Sequence, residues 1–136
     1  MAFMNWTDKF SVGIPSIDAQ HKKLVSMVNE LFDAMKSGHG KDAVGKTLAG
    51  LIQYTLTHFD YEEKLFAQTG YPDTAAHKKE HEDLKKKVVA MQEKIKIGTG
   101  AAQSMEVMEF LKNWLNDHIL GTDKKYGPHL ASKGVK

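Results

Sequence analysis

Five histidines and two carboxylates stand where a helical chain should carry hydrocarbon: His21, His58, Glu62, His77, His81, His118 and Asp123. Imidazole nitrogen and carboxylate oxygen are metal donors, and burying them otherwise is expensive. A lone histidine on an apolar face is usually a hydrogen-bonded core residue. Seven such groups are a different matter, because an ionised carboxylate buried without a partner costs several kcal/mol. A cation among them removes that cost, so the residue types point to metal binding.

The elements that must position these residues are legible as four amphipathic helices, expected at about 17–37, 42–69, 74–97 and 101–121. An arm precedes them over 1–15, containing Trp6, Phe10, Val12, Ile14 and Pro15, and a short tail over 122–136 contains Tyr126, Pro128 and Leu130. In the first helix Leu24, Val25, Val28, Leu31, Phe32 and Met35 recur at threes and fours, the spacing of one helical face. The second carries Val44, Leu48, Leu51, Thr55, Leu65 and Phe66 inward, the third Leu84, Val88, Met91 and Ile95, and the fourth Val107, Met108, Leu111, Trp114 and Leu115. Ser16 or Asp18, Asp42, Asp73 or Thr74, and Thr99 or Ser104 are the expected helix starts. Turns are expected at Ser37-Gly38-His39-Gly40, Gly70-Tyr71-Pro72-Asp73 and Gly98-Thr99-Gly100, with glycine and proline as stop signals. Short connections between long helices favour an all-α, antiparallel, up-down-up-down four-helix bundle.

Each apolar stripe runs into one of the seven residues. His21 shares the face of Leu24 and Val28; Leu48, Leu51 and Thr55 lead to His58 and Glu62. His77 and His81 open the stripe of the third helix, and Val107, Leu111 and Trp114 lead to His118. The histidines lie near the starts of the odd helices and toward the ends of the even ones. An antiparallel bundle places those ends at one level. Asp123 is the awkward member: five residues after His118, it falls about 140° around an ideal helix. Gly121-Thr122 is expected to loosen or end the helix and let Asp123 swing inward. His39 and His129 are expected to face solvent away from this level.

The chain of 136 residues suits a single domain with a substantial core. Cysteine is absent, which excludes disulfides, thiolate zinc and iron–sulfur sites within the chain. No targeting sequence or membrane-length apolar run is evident, so a cytoplasmic protein without membrane insertion is expected, and a monomer. Net charge is +2, with lysines at Lys78, Lys79, Lys85, Lys86 and Lys87. Their neighbours Glu80, Glu82, Asp83 and Glu93 make this a solvated helix face, and no nucleic-acid motif accompanies it.

Seven protein ligands exceed the needs of one ion, and a zinc site takes only four. Two octahedral ions sharing Glu62, Asp123 and an oxygen from water use all seven and leave one coordination position open. Imidazole-rich ligation suits iron, copper, zinc or nickel, whereas calcium and magnesium prefer oxygen. Bridging carboxylates favour paired iron, and one open position on a reducible pair suits a small diatomic ligand.

The segments Asp18-x-Gln-His21, His58-Phe59-x-x-Glu62, His77-x-x-x-His81 and His118-x-x-x-x-Asp123, in that order and with Trp6 in the arm, resemble the hemerythrin family over nearly the whole chain. The resemblance is greatest to its single-domain bacterial members. It implies two Fe ions per chain with an oxo or hydroxo bridge and O2 as a reversible ligand. It further implies that His77, His81 and His118 complete one iron, that His21 and His58 hold the other beside its open position, and that Glu62 and Asp123 bridge. Phe59, Trp114, Leu115 and Ile119 are similar to that family's apolar O2 pocket. The expected function is O2 transport, storage or delivery to an O2-consuming oxidase or oxygenase, rather than an enzymatic one. A di-iron enzyme acting on peroxide or nitric oxide, or an O2 or redox sensor working through a separate partner, is the alternative. Ferritin-like sites, with four carboxylates and a Glu-x-x-His spacing, offer a contrast: five neutral imidazoles and two carboxylates stabilise high-valent iron poorly.

Overall fold

The computed structural model of the protein describes residues 4–36, 40–96 and 101–136. The expected turns at Ser37-Gly38-His39 and Gly98-Thr99-Gly100 lie outside the described residues, as do the side chains of Val44, Ile95 and Val107. Four long helices form the body: α1 (Pro15–Lys36), α2 (Gly40–Thr69), α3 (Thr74–Lys96) and α4 (Ala101–Asp117). Each packs on its chain neighbour, and α4 returns to α1, closing an antiparallel four-helix bundle. No strand occurs among the described residues.

Local sequence explains the helix ends. Pro15 opens α1, where its missing N–H is no loss. The amides of Ile17 and Asp18 bond to Ile14 O at 3.0 and 2.9 Å. Asp18 is not the cap of α1. Its carboxylate instead accepts from Val12 N at 2.8 Å and Ser11 Oγ at 2.5 Å, tying the arm to the helix. Within the arm a 3-10 turn, Asp8–Phe10, brings Phe10 into the core. Asp42 likewise lies inside α2, which already begins at Gly40.

Gly70 ends α2 with φ 66°, a left-handed conformation that glycine adopts without a Cβ penalty. Tyr71 N then bonds back to Phe66 O at 3.1 Å, and the Tyr71 ring packs on Phe66 at 5.0 Å. This is the Schellman arrangement with its hydrophobic contact. At the start of α3, His77 N bonds to Asp73 O at 3.0 Å, so Asp73 is the cap residue.

The expected tail departs most from its sequence reading. The helix does not end at Gly121. It widens into a π-helical segment, His118–Asp123, and continues as α5 (Lys124–Ser132). Tyr126, Gly127 and Leu130 of α5 are buried. Tyr126 and Leu130 join Val12, Ile14, Ile17, Phe66 and Tyr71 in a small apolar cluster at this end of the bundle. The larger core fills the bundle between α1 and α4, with Leu24, Val28, Leu31, Leu48, Leu84, Met108 and Leu111 among its members. His129 is half-buried rather than solvent-facing: its Nε2 lies 3.0 Å from Thr69 O.

Gly127 sets how closely α5 approaches the arm, because a Cβ built there would lie 2.2 Å from Val12 O. Backbone cannot retreat as a flexible side chain can. Gly127→Ala is therefore expected to destabilise the protein by about 1–3 kcal/mol, as overpacking does. Urea denaturation of wild type and variant measures this, and an unchanged midpoint would show that the arm yields freely.

Candidate metal centre

The seven residues singled out by sequence meet between the two apolar clusters. His21, Glu62, His81 and Asp123 have no exposed surface, and His58, His77 and His118 are almost fully buried. They form two overlapping sets suited to holding a metal: Glu62 with His77, His81 and His118, and His21 and His58 with Glu62 and Asp123. Within each set the donor atoms lie within 4.8 Å of one another.

Every imidazole turns Nε2 inward. His58 Nε2 and His81 Nε2 are each 3.3 Å from Glu62 Oε1, and His77 Nε2 is 3.9 Å from it. Asp123 Oδ1 lies 3.0 Å from His77 Nε2 and 2.9 Å from His118 Nε2, while Oδ2 lies 3.0 Å from His21 Nε2. Those distances suit ion pairs, yet His21, His77, His81 and His118 Nε2, Glu62 Oε1 and both Asp123 oxygens lack a hydrogen-bond partner. The donors are close but not aimed along one another's N–H directions. Buried polar atoms are rarely left so. Convergence on shared points, rather than pairing, is the arrangement that ligands of a cation adopt, and the donor set fits one.

Asp123 reaches this level through the π-helical segment. Its wider i→i+5 pattern brings residues five apart toward one face, so His118 and Asp123 converge without a break in the helix. The expectation of a loosened end is corrected to a continuous, wider turn.

The outward Nδ1 atoms have partners that sequence reading did not assign. His58 Nδ1 lies 2.5 Å from Gln20 Oε1, His81 Nδ1 2.9 Å from Glu63 Oε2, and His118 Nδ1 2.9 Å from Glu80 Oε1. An ionised carboxylate only accepts, so His81 and His118 carry their proton on Nδ1 when neutral and present Nε2 as the free donor. Glu80 also accepts from Thr122 Oγ, at 2.9 and 3.0 Å, gripping the π-helical segment at a second point. Tyr126 of α5 donates its hydroxyl to Glu62 Oε2. Glu80 looks like part of a solvated charge cluster in sequence. Its position three after His77 and one before His81 is the signal that could have distinguished it.

Aromatic rings fix the imidazoles from the sides. Phe59 stacks on His81 with centroids 3.7 Å apart and Trp114 on His118 at 4.3 Å. Phe66 meets His77 edge-on at 4.8 Å. A cavity leads from His21, His58, His118 and Asp123 up the bundle axis between Phe59, Trp114, Leu115, Leu24 and Leu111, with about 40 Å³ open to water-sized bodies. Of the four residues expected to form an apolar pocket, Phe59, Trp114 and Leu115 line this cavity. Ile119 does not line it and packs instead in the main core.

A closed helical bundle with two buried, overlapping imidazole–carboxylate sets at one end is suited to a di-iron centre. The chain belongs to the hemerythrin family: the family model for the hemerythrin HHE cation binding domain matches residues 12–130. A bacteriohemerythrin of Methylococcus capsulatus is 38% identical over 133 residues, covering 97% of this chain and all of that one. The bacteriohemerythrin of Stenotrophomonas maltophilia is 36% identical over 132 residues, 97% of this chain and 84% of that one. A crystal structure of wild-type hemerythrin superposes with a TM-score of 0.85 at 36% identity, covering 96% of this chain and 99% of that one.

Burial pushes His58 and His81 down to about 4 in the metal-free chain. For His118 burial works against the charged form but is outweighed by the Asp123 carboxylate, with Glu62 and Glu80 adding to it, and its pKa rises to about 9. Asp123 is held well below the usual carboxylate range by His118, despite its burial. The unfolded chain therefore binds more protons at His58 and His81 between about pH 4 and 6.5, and stability from these two is lost as pH falls through that window. The His118 contribution has the opposite sign, full below about 6.5 and lost as pH rises through about 9. Melting temperature of chelator-treated protein is expected to peak near about pH 6–7 and fall on both sides. A melting temperature still rising at pH 9 would contradict the His118 pairing.

Proposed function

We propose that this protein holds two iron ions and binds O2 reversibly, serving transport, storage or delivery to an O2-consuming partner. In this reading His77, His81 and His118 complete one iron position and His21 and His58 the other. Glu62 belongs to both donor sets, and Asp123 reaches His21 through one oxygen and His77 and His118 through the other. Both carboxylates are thus placed to bridge. A pair of iron ions held in this way supplies reversible two-electron chemistry toward O2.

The observation that carries the O2 reading is where the cavity ends. It touches both imidazoles of the set with fewer, His21 and His58, and of the other set only His118, not His77 or His81. Its size suits a diatomic: one water needs at least roughly 10–15 Å³ of such space, and about 40 Å³ is open. Its walls suit a neutral guest. The Thr55 hydroxyl on the wall is occupied by Leu51 O at 2.7 Å, and Lys85 pairs with Glu82 at 2.9 Å. Apart from these two groups and the end formed by His21, His58, His118 and Asp123, the lining is aliphatic or aromatic.

Leu115, Phe59 and Trp114 keep the imidazole level dry, which slows water entry and loss of the reduced state. The remaining lysines of the α3 patch do not face the site: Lys78, Lys79, Lys86 and Lys87 are exposed, and Lys87 Nζ lies over the Phe110 ring at 5.3 Å. No helix among the described residues is long and apolar enough to cross a membrane.

The deciding experiment quantifies iron, reduces the protein anaerobically, and cycles O2 and argon while the visible spectrum is recorded. Two irons per chain with an oxygenated spectrum that reverses under argon are expected. Zinc, one iron, or sustained turnover of peroxide or nitric oxide with a reductant would overturn the carrier reading. Leu115→Ala enlarges the cavity beside His21 and His58 and is expected to accelerate oxidation of the reduced protein in air. An unchanged rate would remove Leu115 from control of access.

A further inference from the structure

The two donor sets differ in what stands behind their imidazoles. In the set of Glu62, His77, His81 and His118, two rings donate Nδ1–H to carboxylates: His81 to Glu63 and His118 to Glu80, both at 2.9 Å. In the other set His58 has only the neutral Gln20 amide, and His21 Nδ1 has no hydrogen-bond partner. His77 Nδ1 also lacks one, but its ring is flanked edge-on by Phe66.

A carboxylate accepting from the far nitrogen of a metal-binding imidazole raises the basicity of the near nitrogen and fixes the ring's orientation. Here it also brings negative charge toward a dication in a poorly solvated interior, where such charge is weakly screened. Rigid placement acts in the same direction. Phe59 and Trp114 stack on His81 and His118, and Glu80 holds Thr122 as well as His118, so α3 and the π-helical segment are joined independently of any ion. His21, whose Nδ1 has no partner, borders the cavity, as do His58 and His118. A ring already held in its binding orientation loses less freedom when it coordinates.

We propose that Glu63 and Glu80 make the two metal positions unequal, so that the position of His77, His81 and His118 loads first and that of His21 and His58 second. The inference rests on the two-metal reading above and assigns Glu63 and Glu80 as positioning residues that act through His81 and His118. Loss follows the reverse order: the position of His21 and His58 empties first.

The test uses the full-length, metal-free protein labelled with 15N, titrated with Zn²⁺ while the imidazole nitrogens are followed by NMR. The first equivalent is expected to move the signals of His77, His81 and His118, and the second those of His21 and His58. His21 and His58 moving first, or all five moving together, would overturn the order. Fewer than two equivalents at saturation would instead overturn the two-metal reading itself, and the order with it.

The glutamates are tested separately. Glu63→Gln combined with Glu80→Gln keeps an acceptor for each Nδ1–H but removes the charge, and is expected to weaken the first position about 10–100-fold. Unchanged affinity would show that the glutamates do not create the inequality. Glu80→Ala is expected to lose the tie to Thr122 as well, and Glu80→Gln to restore the Thr122 signals without restoring affinity. Restoration of both would assign Glu80 to geometry alone. The wild-type order stands as a test whether or not a variant folds.

Discussion

The rest of the structure depends on the cost of holding five imidazoles and two carboxylates out of water at one level of a helical bundle. That cost is only partly offset by pairing, chiefly of His118 with Asp123. The inward nitrogens and oxygens approach within 2.9–3.9 Å, but most lack hydrogen-bond alignment. Repulsion and desolvation therefore concentrate at one level, and the surrounding protein is built to contain them. Apolar clusters lie above and below, aromatic rings lie flat against His81 and His118, and side chains from α1, α2 and α3 hold the outward nitrogens.

This constraint explains why the helix continues beyond the expected stop. Without α5 the level of the seven buried donors would form the end of the bundle and meet water. Tyr126 closes it from below and donates to Glu62, a contact spanning 64 residues of chain, and burial with the nearby carboxylates keeps that phenol well above the ordinary tyrosine range. The arm completes the closure through Val12 and Ile14, which pack in the same cluster as Tyr126. Asp18, next to the ligand helix start, anchors this arm and leaves helix capping to backbone groups.

Helix periodicity made the bundle readable because apolar residues at threes and fours have few other uses. The inward-facing histidines were readable for the same reason, as exceptions to the pattern. Partners behind their imidazoles were not. Glu63 and Glu80 sit among exposed charges, and only their contacts with His81 of α3 and His118 of the π-helical segment give them meaning. The continuation through Gly121 was also hidden, since glycine inside a widened turn looks in sequence like glycine at a helix end. Ile119 follows His118 in sequence and packs in the main core with Leu115, but unlike Leu115 it does not line the cavity.

The π-helical segment has a consequence for how this chain tolerates change in length. A wider turn contains one residue more than the α-helix around it requires. Deleting one residue between His118 and Asp123 would restore a regular helix with the pair four apart, still on one face, and would leave α5 close to its present direction. Connections elsewhere in a bundle absorb insertions and deletions at little cost; here the widened turn does so within a helix.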